Sequence, residues 1–569
     1  MEVLTTREHL TKPGTMKLRN LRGAVLLILS VGCASDTSRV TTTDQRTAAK
    51  EPLPAPLFEG LGNHHHRIKT KSKLAQKYFD QGFTLLYGFN HAEAIRSFGA
   101  VATLDPDCAM AYWGIAYAYG PNINMPMDDK AVPKAWEALQ KAVALKGKAS
   151  PKEQAYINAL SKRYAENPPK PRAPLDQAYA EAMRDVARQY PKDLDVQTLF
   201  AEAVMDTSPW NYWQPDGTMK PSAKEALAAV ESVLAQVREH PGADHLHIHL
   251  VEAGPHPEAA EPSADRLGKF APTAGHLVHM PSHIYVRVGR YHDASTMNEL
   301  ASKSDESYLA QCKQQGMYPG GYYPHNVFFL WFATALEGRS ADSFAAARKI
   351  GRYTSELRCG ALEGPRQRYL PLLAYLRFGQ WQQVLKEAAP AEEYPFDVAM
   401  WHYARGVALA ATGKPDDAEE ERTKFLELAK TEKVIAMDNP YFPGTKILAI
   451  ASEVLAGKVA GARGTSEERI THLKTGVELE DAMPYMEPPY WYYPVRQSLG
   501  AALLKNGKAV EAENVFRKDL AKSPRNGWSL FGLEQTLRAQ GKVDEAARVQ
   551  REFEMAWRNA DVKLDLGWF

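Results

Sequence analysis

Cysteine is scarce: the chain has four in 569 residues, and none forms a CxxC pair. That removes the common thiolate zinc motifs. Charge of one sign is missing as well. Lysine and arginine number 69 against 68 aspartates and glutamates, a formal net charge of +1. Without a dense basic run there is no electrostatic footprint for a nucleic acid, and none is expected as a partner. Alternating apolar runs bounded by turns are hard to find, which argues against β-structure. No HExxH occurs, so a zinc-protease reading has no support. The apolar run Ala24 to Val31 is too short to cross a bilayer.

That run belongs to a recognisable pattern. From Met16 the chain reads MKLRNLRGAVLLILSVGCAS. Lys17, Arg19 and Arg22 form a charged region, Ala24–Val31 an apolar one, and small residues follow. This is the layout of an export signal over residues 1–34, with Met16 as the true start. Cys33 has two readings. One is the acylated cysteine of bacterial lipoproteins, although Ser30 replaces the usual leucine three residues earlier. The other is ordinary cleavage after Ala34. Both send the mature protein to the periplasm or cell envelope, with membrane contact only through a lipid on Cys33. Residues 35–60 read as a flexible linker. Cys312 and Cys359 either pair or stay as buried free thiols.

Past residue 70 the chain repeats. Gly82, Ala94, Phe98 and Pro106 return in the same frame as Gly500, Ala512, Phe516 and Pro524, with Gly507 between them. Gly541 and Ala546 continue the series, and Gly406, Gly413 and Ala418 form a third copy. Weaker copies surround Gly289 with Ala294 and the stretch 328–350. The pattern resembles the tetratricopeptide repeat (TPR), a helix–turn–helix unit of about 34 residues. The expected fold is all-α: a TPR-like α-solenoid, degenerate in the middle, with an N-terminal helical domain over 61–390 and C-terminal repeats over 391–569. The plain role for such an array is to hold a protein or peptide on its concave surface.

Histidine breaks the pattern. Nine of the 17 histidines lie between His240 and His292, and the repeat consensus has none. In DHLHIHLVE, helical spacing puts His249 about 40° from His245 and Glu252 about 20° on the other side, while His247 points away. The surrounding residues are apolar, so the stripe is buried and needs partners. GHLVHMPSHIY supplies His276, His279 and His283, with a helix beginning near Met280 or Pro281, and His325 follows in YYPHNVFFLW. Imidazoles with a carboxylate suit a transition metal, with Zn, Cu and Fe all open. The candidate ligands are therefore His245, His249, Glu252, His276, His279, His283 and His325. A structural or substrate-binding polar network is the alternative. His247, His256 and His292 are read as ordinary core histidines. Glu202 and Asp206, spaced i,i+4, are either further ligands or a polar helix face. The segment PYMEPPYWYYPVR, with Glu487, is either a binding-site wall or a cap on a repeat core.

The runs HPGADHLHIHLVEAGPHPEAAEPSADRL and PTAGHLVHMPSHIYVRVGRY, with CAMAYWGIAYAYGPNIN and YYPHNVFFLW, resemble a bacterial family of exported TPR proteins of similar length. The resemblance covers most of residues 60–500. It implies fold and export rather than a reaction, and it marks the same seven site residues. It adds His91 and the run His64-His65-His66 more weakly, the latter as a mobile metal-binding tail or nothing. Two functions remain open: a metal-binding protein, catalytic or not, and a non-enzymatic interaction scaffold of the cell envelope.

Overall fold

Helix punctuation sits where the repeat frame places it. Ser72 accepts from the Ala75 N–H to open the helix Lys73–Tyr87, and Asn90 accepts from Glu93 to open His91–Leu104. Ser150 and Glu153 form a reciprocal capping box at Pro151–Leu160. The computed structural model describes residues 55–312, 318–356, 367–439 and 442–569. The residues read as an export signal, Cys33 and Cys359 lie outside these residues, as does any pairing of Cys312 with Cys359. Every regular element among the described residues is helical, with only isolated bridges such as Asn122–Met125 besides. No helix among them is long and apolar enough to cross a membrane. The fold is an all-α, TPR-like array, and the stretches 61–390 and 391–569 both lie within one compact unit, Leu53–Phe569.

The repeat residues explain their own spacing. The Phe98 ring, fully buried, fills the gap between the preceding and following helices. A Cβ on Gly82 or on Gly114 would stand 2.7 Å from that ring. Phe516 is wedged the same way between Gly500 and Gly532, at 2.6 and 2.3 Å. Glycine and aromatic are thus one packing device in two halves. Phe98→Ala is expected to cost about 3–5 kcal/mol, the usual range for an aromatic deleted from a core. A denaturant titration shifted by less than about 1 kcal/mol would show that the array closes over the gap.

The array folds back on itself. Gly289 has φ +79°, and a Cβ there would meet the Pro524 carbonyl at 2.2 Å, so both the turn and the approach require glycine. Beside it, Tyr291 donates to the same carbonyl at 2.9 Å. Trp528 donates to Ala335 O, and Asp561 accepts from Ser340 N. The last repeats therefore cover the middle ones. At the other end, residues expected to finish the linker are pinned: Tyr78 donates to Ala55 O, and Gln81 bonds both Phe58 N and Pro56 O. The segment then crosses to Thr273 and to Glu153. The histidine-rich helices lie between these two closures.

Candidate metal centre

The helix Pro241–Val251 opens on His240, whose Nδ1 accepts from the Ala243 N–H at 3.1 Å, with Pro241 in the first turn. Every residue of this helix is buried, as its all-round apolar composition required. Glu252 follows as the closing residue. The second histidine segment is a short helix, Gly275–His279, and then Pro281–Arg287, with Met280 itself in helical conformation between them. Pro281 costs only its own N–H, so His279 and His283 keep the i,i+4 relation of one continuous helix. His276 and His279 are thus helical rather than on an irregular incoming segment. His325 comes from the first turn of Tyr323–Glu337.

These elements gather the six histidines into two neighbouring sets, with Glu252 in neither. His245, His249 and His276 form one, and His279, His283 and His325 the other. Within each set the ligand atoms lie within 4.8 Å of one another. The sets adjoin, with ring centroids of His276 and His279 5.9 Å apart and those of His249 and His283 6.0 Å apart.

Hydrogen bonds fix which ring nitrogen is free. His245 Nδ1 faces the Tyr87 carbonyl at 2.6 Å, a group that only accepts. His249 Nδ1 faces Glu252 Oε1 at 2.7 Å, and His283 Nδ1 faces Glu252 Oε2 at 2.6 Å. His279 Nδ1 faces Asn298 Oδ1 at 2.7 Å, and the Asn298 amide is oriented by donating to Ser282 Oγ and Ala294 O. All four Nδ1 atoms therefore carry the proton and donate, which leaves four bare Nε2 lone pairs. Those lone pairs meet in couples: His245 to His249 at 3.0 Å, and His279 to His283 at 3.0 Å. Two bare lone pairs at that distance repel unless a proton or a cation sits between them. His276 completes the first set, buried and with neither ring nitrogen hydrogen-bonded. Ligating histidines held by a carboxylate, carbonyl or amide on the far nitrogen are the usual second layer of a metal site.

Glu252 thus stands behind the rings, bonded to one histidine of each set. Burial would raise its pKa, but His283 and the hydrogen bonds from both rings hold it well below the usual carboxylate range. Burial lowers His245, His276 and His279 far below ordinary histidine, and neighbouring imidazoles add to it. His325 falls to about 3 for the same reasons. His283 alone rises, because the Glu252 carboxylate overrides its burial. The rings other than His283 are thus held neutral, the form that ligates.

Aromatic walls close the centre. Phe89, at φ +54°, sets its ring 4.5 Å from His245 and 5.7 Å from His276. This conformation is costly for a bulky residue and occurs where surrounding structure enforces it. Phe329 packs on His279 and His283, and Trp210 edges onto His249. Tyr485 approaches Glu252 Oε2 at 3.4 Å. It opens a cleft of about 720 Å³ that is also lined by Arg287, Glu487, Tyr490 and Trp491. PYMEPPYWYYPVR divides between a cleft and a repeat core. Tyr485 and Glu487 wall the cleft beside the centre, while Trp491 and Tyr492 pack on the buried Tyr403.

Other candidates fall elsewhere. His247 bonds Ser263, His292 bonds Glu337, and His256 is exposed beside Glu258. Glu202 accepts from Tyr117, and Asp206 is paired with the buried Arg163, so both are committed to a core network. His91 lies against Phe89 and Asn122. His64 and His66 are folded in rather than forming a tail: both meet Asp195, at 3.0 and 2.6 Å, where Tyr87 OH and His240 Nε2 also donate. This third cluster fails the tautomer test. His240 Nδ1 accepts a backbone N–H, so its Nε2 carries the proton and cannot ligate. Asp195 instead anchors Tyr87, whose carbonyl holds His245. Sequence reasoning missed Asp195, Asn298, Tyr87 and Phe89, and only the residue after Gly88 in a helix–helix turn gave any signal.

No protein-family model matches the chain, and no curated protein matches it. Among solved structures it is similar to yeast Tom70, at 14% identity over 86% of this chain and 93% of that one, with a TM-score of 0.27. It is similar to the human IFIT1 dimer with m7Gppp-AAAA, at 12% identity over 79% and 90%, with a TM-score of 0.31. It is also similar to the TPR domain of P58(IPK), at 14% identity over 82% and 98%, with a TM-score of 0.21. At these scores no ligand or partner carries over to this chain.

Proposed function

We propose that the chain is a transition-metal protein, a TPR-like array whose function runs through two adjoining trihistidine sites. The observation that supports this reading is the pairing of bare Nε2 atoms at 3.0 Å with every opposing Nδ1 committed to an acceptor. Neutral imidazole suits zinc, copper and iron. Three protein ligands leave a position for water or a small molecule, so the centre can act as a Lewis acid or a redox site. Its setting is the periplasm or cell envelope, on the strength of the signal-like amino terminus, with a lipid anchor at Cys33 as one form. The second reading, a scaffold for a protein or peptide, is supported by the repeat architecture itself.

Metal analysis by mass spectrometry on the untagged chain, expressed with metals supplied, separates the two. Two ions per chain are expected, and His245→Ala/His249→Ala should remove one. Substoichiometric metal in the parent, or metal unchanged in the double variant, would overturn the metal reading. Asp195→Asn should weaken the His245 set about tenfold, the low end for an outer-layer partner. The His279 set serves as an internal control, because Asp195 touches only Tyr87 and the histidines of the third cluster. Equal weakening of both sets in a competition titration would mark Asp195 as merely structural.

A further inference from the structure

We propose that the two trihistidine sites hold a pair of copper(I) ions that bind dioxygen between them as peroxide. This rests on the metal reading and narrows it to one ion and one small ligand.

Charge decides the ion. The centre is built from imidazoles, and the one carboxylate bonded to them, Glu252, is fully buried and occupied by two Nδ1–H donors; the next carboxyl, Glu487, is set against the Arg287 cation. Two monovalent ions set against that carboxylate leave a single net positive charge. Two divalent ions leave three, in a pocket walled by Phe89, Phe329 and Tyr322. Uncompensated charge away from water is expensive. Iron and manganese are further disfavoured because they draw on carboxylate ligands, as in di-iron helical bundles. Copper stands at the top of the affinity order for divalent ions at nitrogen sites, and its monovalent state is content with three ligands.

The same accounting selects the ligand. Each copper(I) gives one electron, so dioxygen gains two and becomes peroxide, and two copper–oxygen bonds form. No proton is taken up, and no further reductant is required. The oxidised pair carries two more positive charges than before, and the peroxide dianion cancels them. The pocket therefore has the same net charge with and without bound oxygen. The aromatic walls suit this ligand, since dioxygen is apolar and water is kept from the reduced ions.

The test loads the metal-free chain with two equivalents of copper(I) without air and then admits dioxygen. Uptake of one dioxygen per chain is expected, with an intense charge-transfer absorption that the reduced protein lacks and one peroxide released on acidification. His276→Ala and His325→Ala should each retain one copper and lose both uptake and absorption. His247→Ala, outside both sets, should keep them. Thermal melts of each variant check that it folds. Two bound copper(I) ions with no dioxygen uptake would overturn the proposal, as would a chain that takes two zinc ions and refuses copper(I). Either result leaves the metal reading standing, whereas a chain that retains no ion of any kind removes both. A single-site variant that still takes up dioxygen would also overturn it.

Discussion

Glu252→Gln removes metal from one trihistidine site while leaving the metal-free fold almost as stable as the parent. The carboxylate accepts at both oxygens, from His249 on one side and His283 on the other. A glutamine accepts at its oxygen and donates at its nitrogen. One of the two rings then faces an N–H where it faced a carboxylate. That ring must move its proton from Nδ1 to Nε2, which cancels the lone pair a metal needs. In the metal-free chain the moved proton is welcome, because it falls between two nitrogens 3.0 Å apart that otherwise repel. The substitution thus separates stability from ligation. Affinity at the affected set should fall by at least the 10–100-fold typical of a lost outer partner, while the other set keeps its ion.

Glu252→Ala behaves differently. It strands two buried N–H groups without acceptors, each costing about 1–3 kcal/mol. Its melting temperature should fall well below that of the glutamine variant, and both sets should weaken. Isothermal titration of each chain with metal, beside a thermal melt of the metal-free form, measures both quantities. Two unaffected sites in the glutamine variant would mean that Glu252 does not set the tautomers.

How much of this was legible in the sequence follows from which contacts are local. Gly82 with Phe98 and Gly500 with Phe516 lie within one repeat, so their spacing announced the helix pair that the structure contains. The stripe of His245, His249 and Glu252 lies on one helical turn and its neighbour, so it too could be read. The partition into two sets could not. His276 and His279 are three residues apart, yet they belong to different sets because the fold presents one to His245 and the other to His325. Nor could the place of Glu252 be read, since a carboxylate beside a histidine ligates or supports according to which nitrogen it faces. Asp195 lies 45 residues before His240 in sequence and reaches the centre only through the Tyr87 backbone. Phe89 needed a left-handed turn that the sequence marks only by the neighbouring Gly88. Packing between distant segments decided each of these.

Acid should unfold the metal-free chain sharply, beginning just below pH 6.5. Burial, reinforced at most positions by neighbouring cations, lowers seven histidines below their ordinary value: His91, His245, His247, His249, His276, His279 and His325. His247 is brought to about 4 and His325 to about 3. In the unfolded chain all seven take up protons near pH 6.5. Between that pH and their folded values the unfolded state binds more protons, so stability falls as pH falls. Each group contributes up to about 1.4 kcal/mol per pH unit once the pH is well below 6.5. His283 works the other way, because its raised pKa adds stability below 6.5 that is lost as pH climbs through the folded value. Glu252, held low, adds stability that disappears only in stronger acid, as pH falls through its folded value. Up to seven extra protons on the unfolded chain, set against a stability of about 5–15 kcal/mol, leave room for only one or two pH units. Urea titrations of chelator-treated protein at pH 7.5, 6.5 and 5.5 should show a midpoint that drops steeply across the last step. Bound metal ties up the same nitrogens and should move the drop to lower pH. A midpoint that stays flat from 7.5 to 5.5 would show that the histidines are already protonated in the fold, which would remove the bare lone pairs on which the metal centre depends.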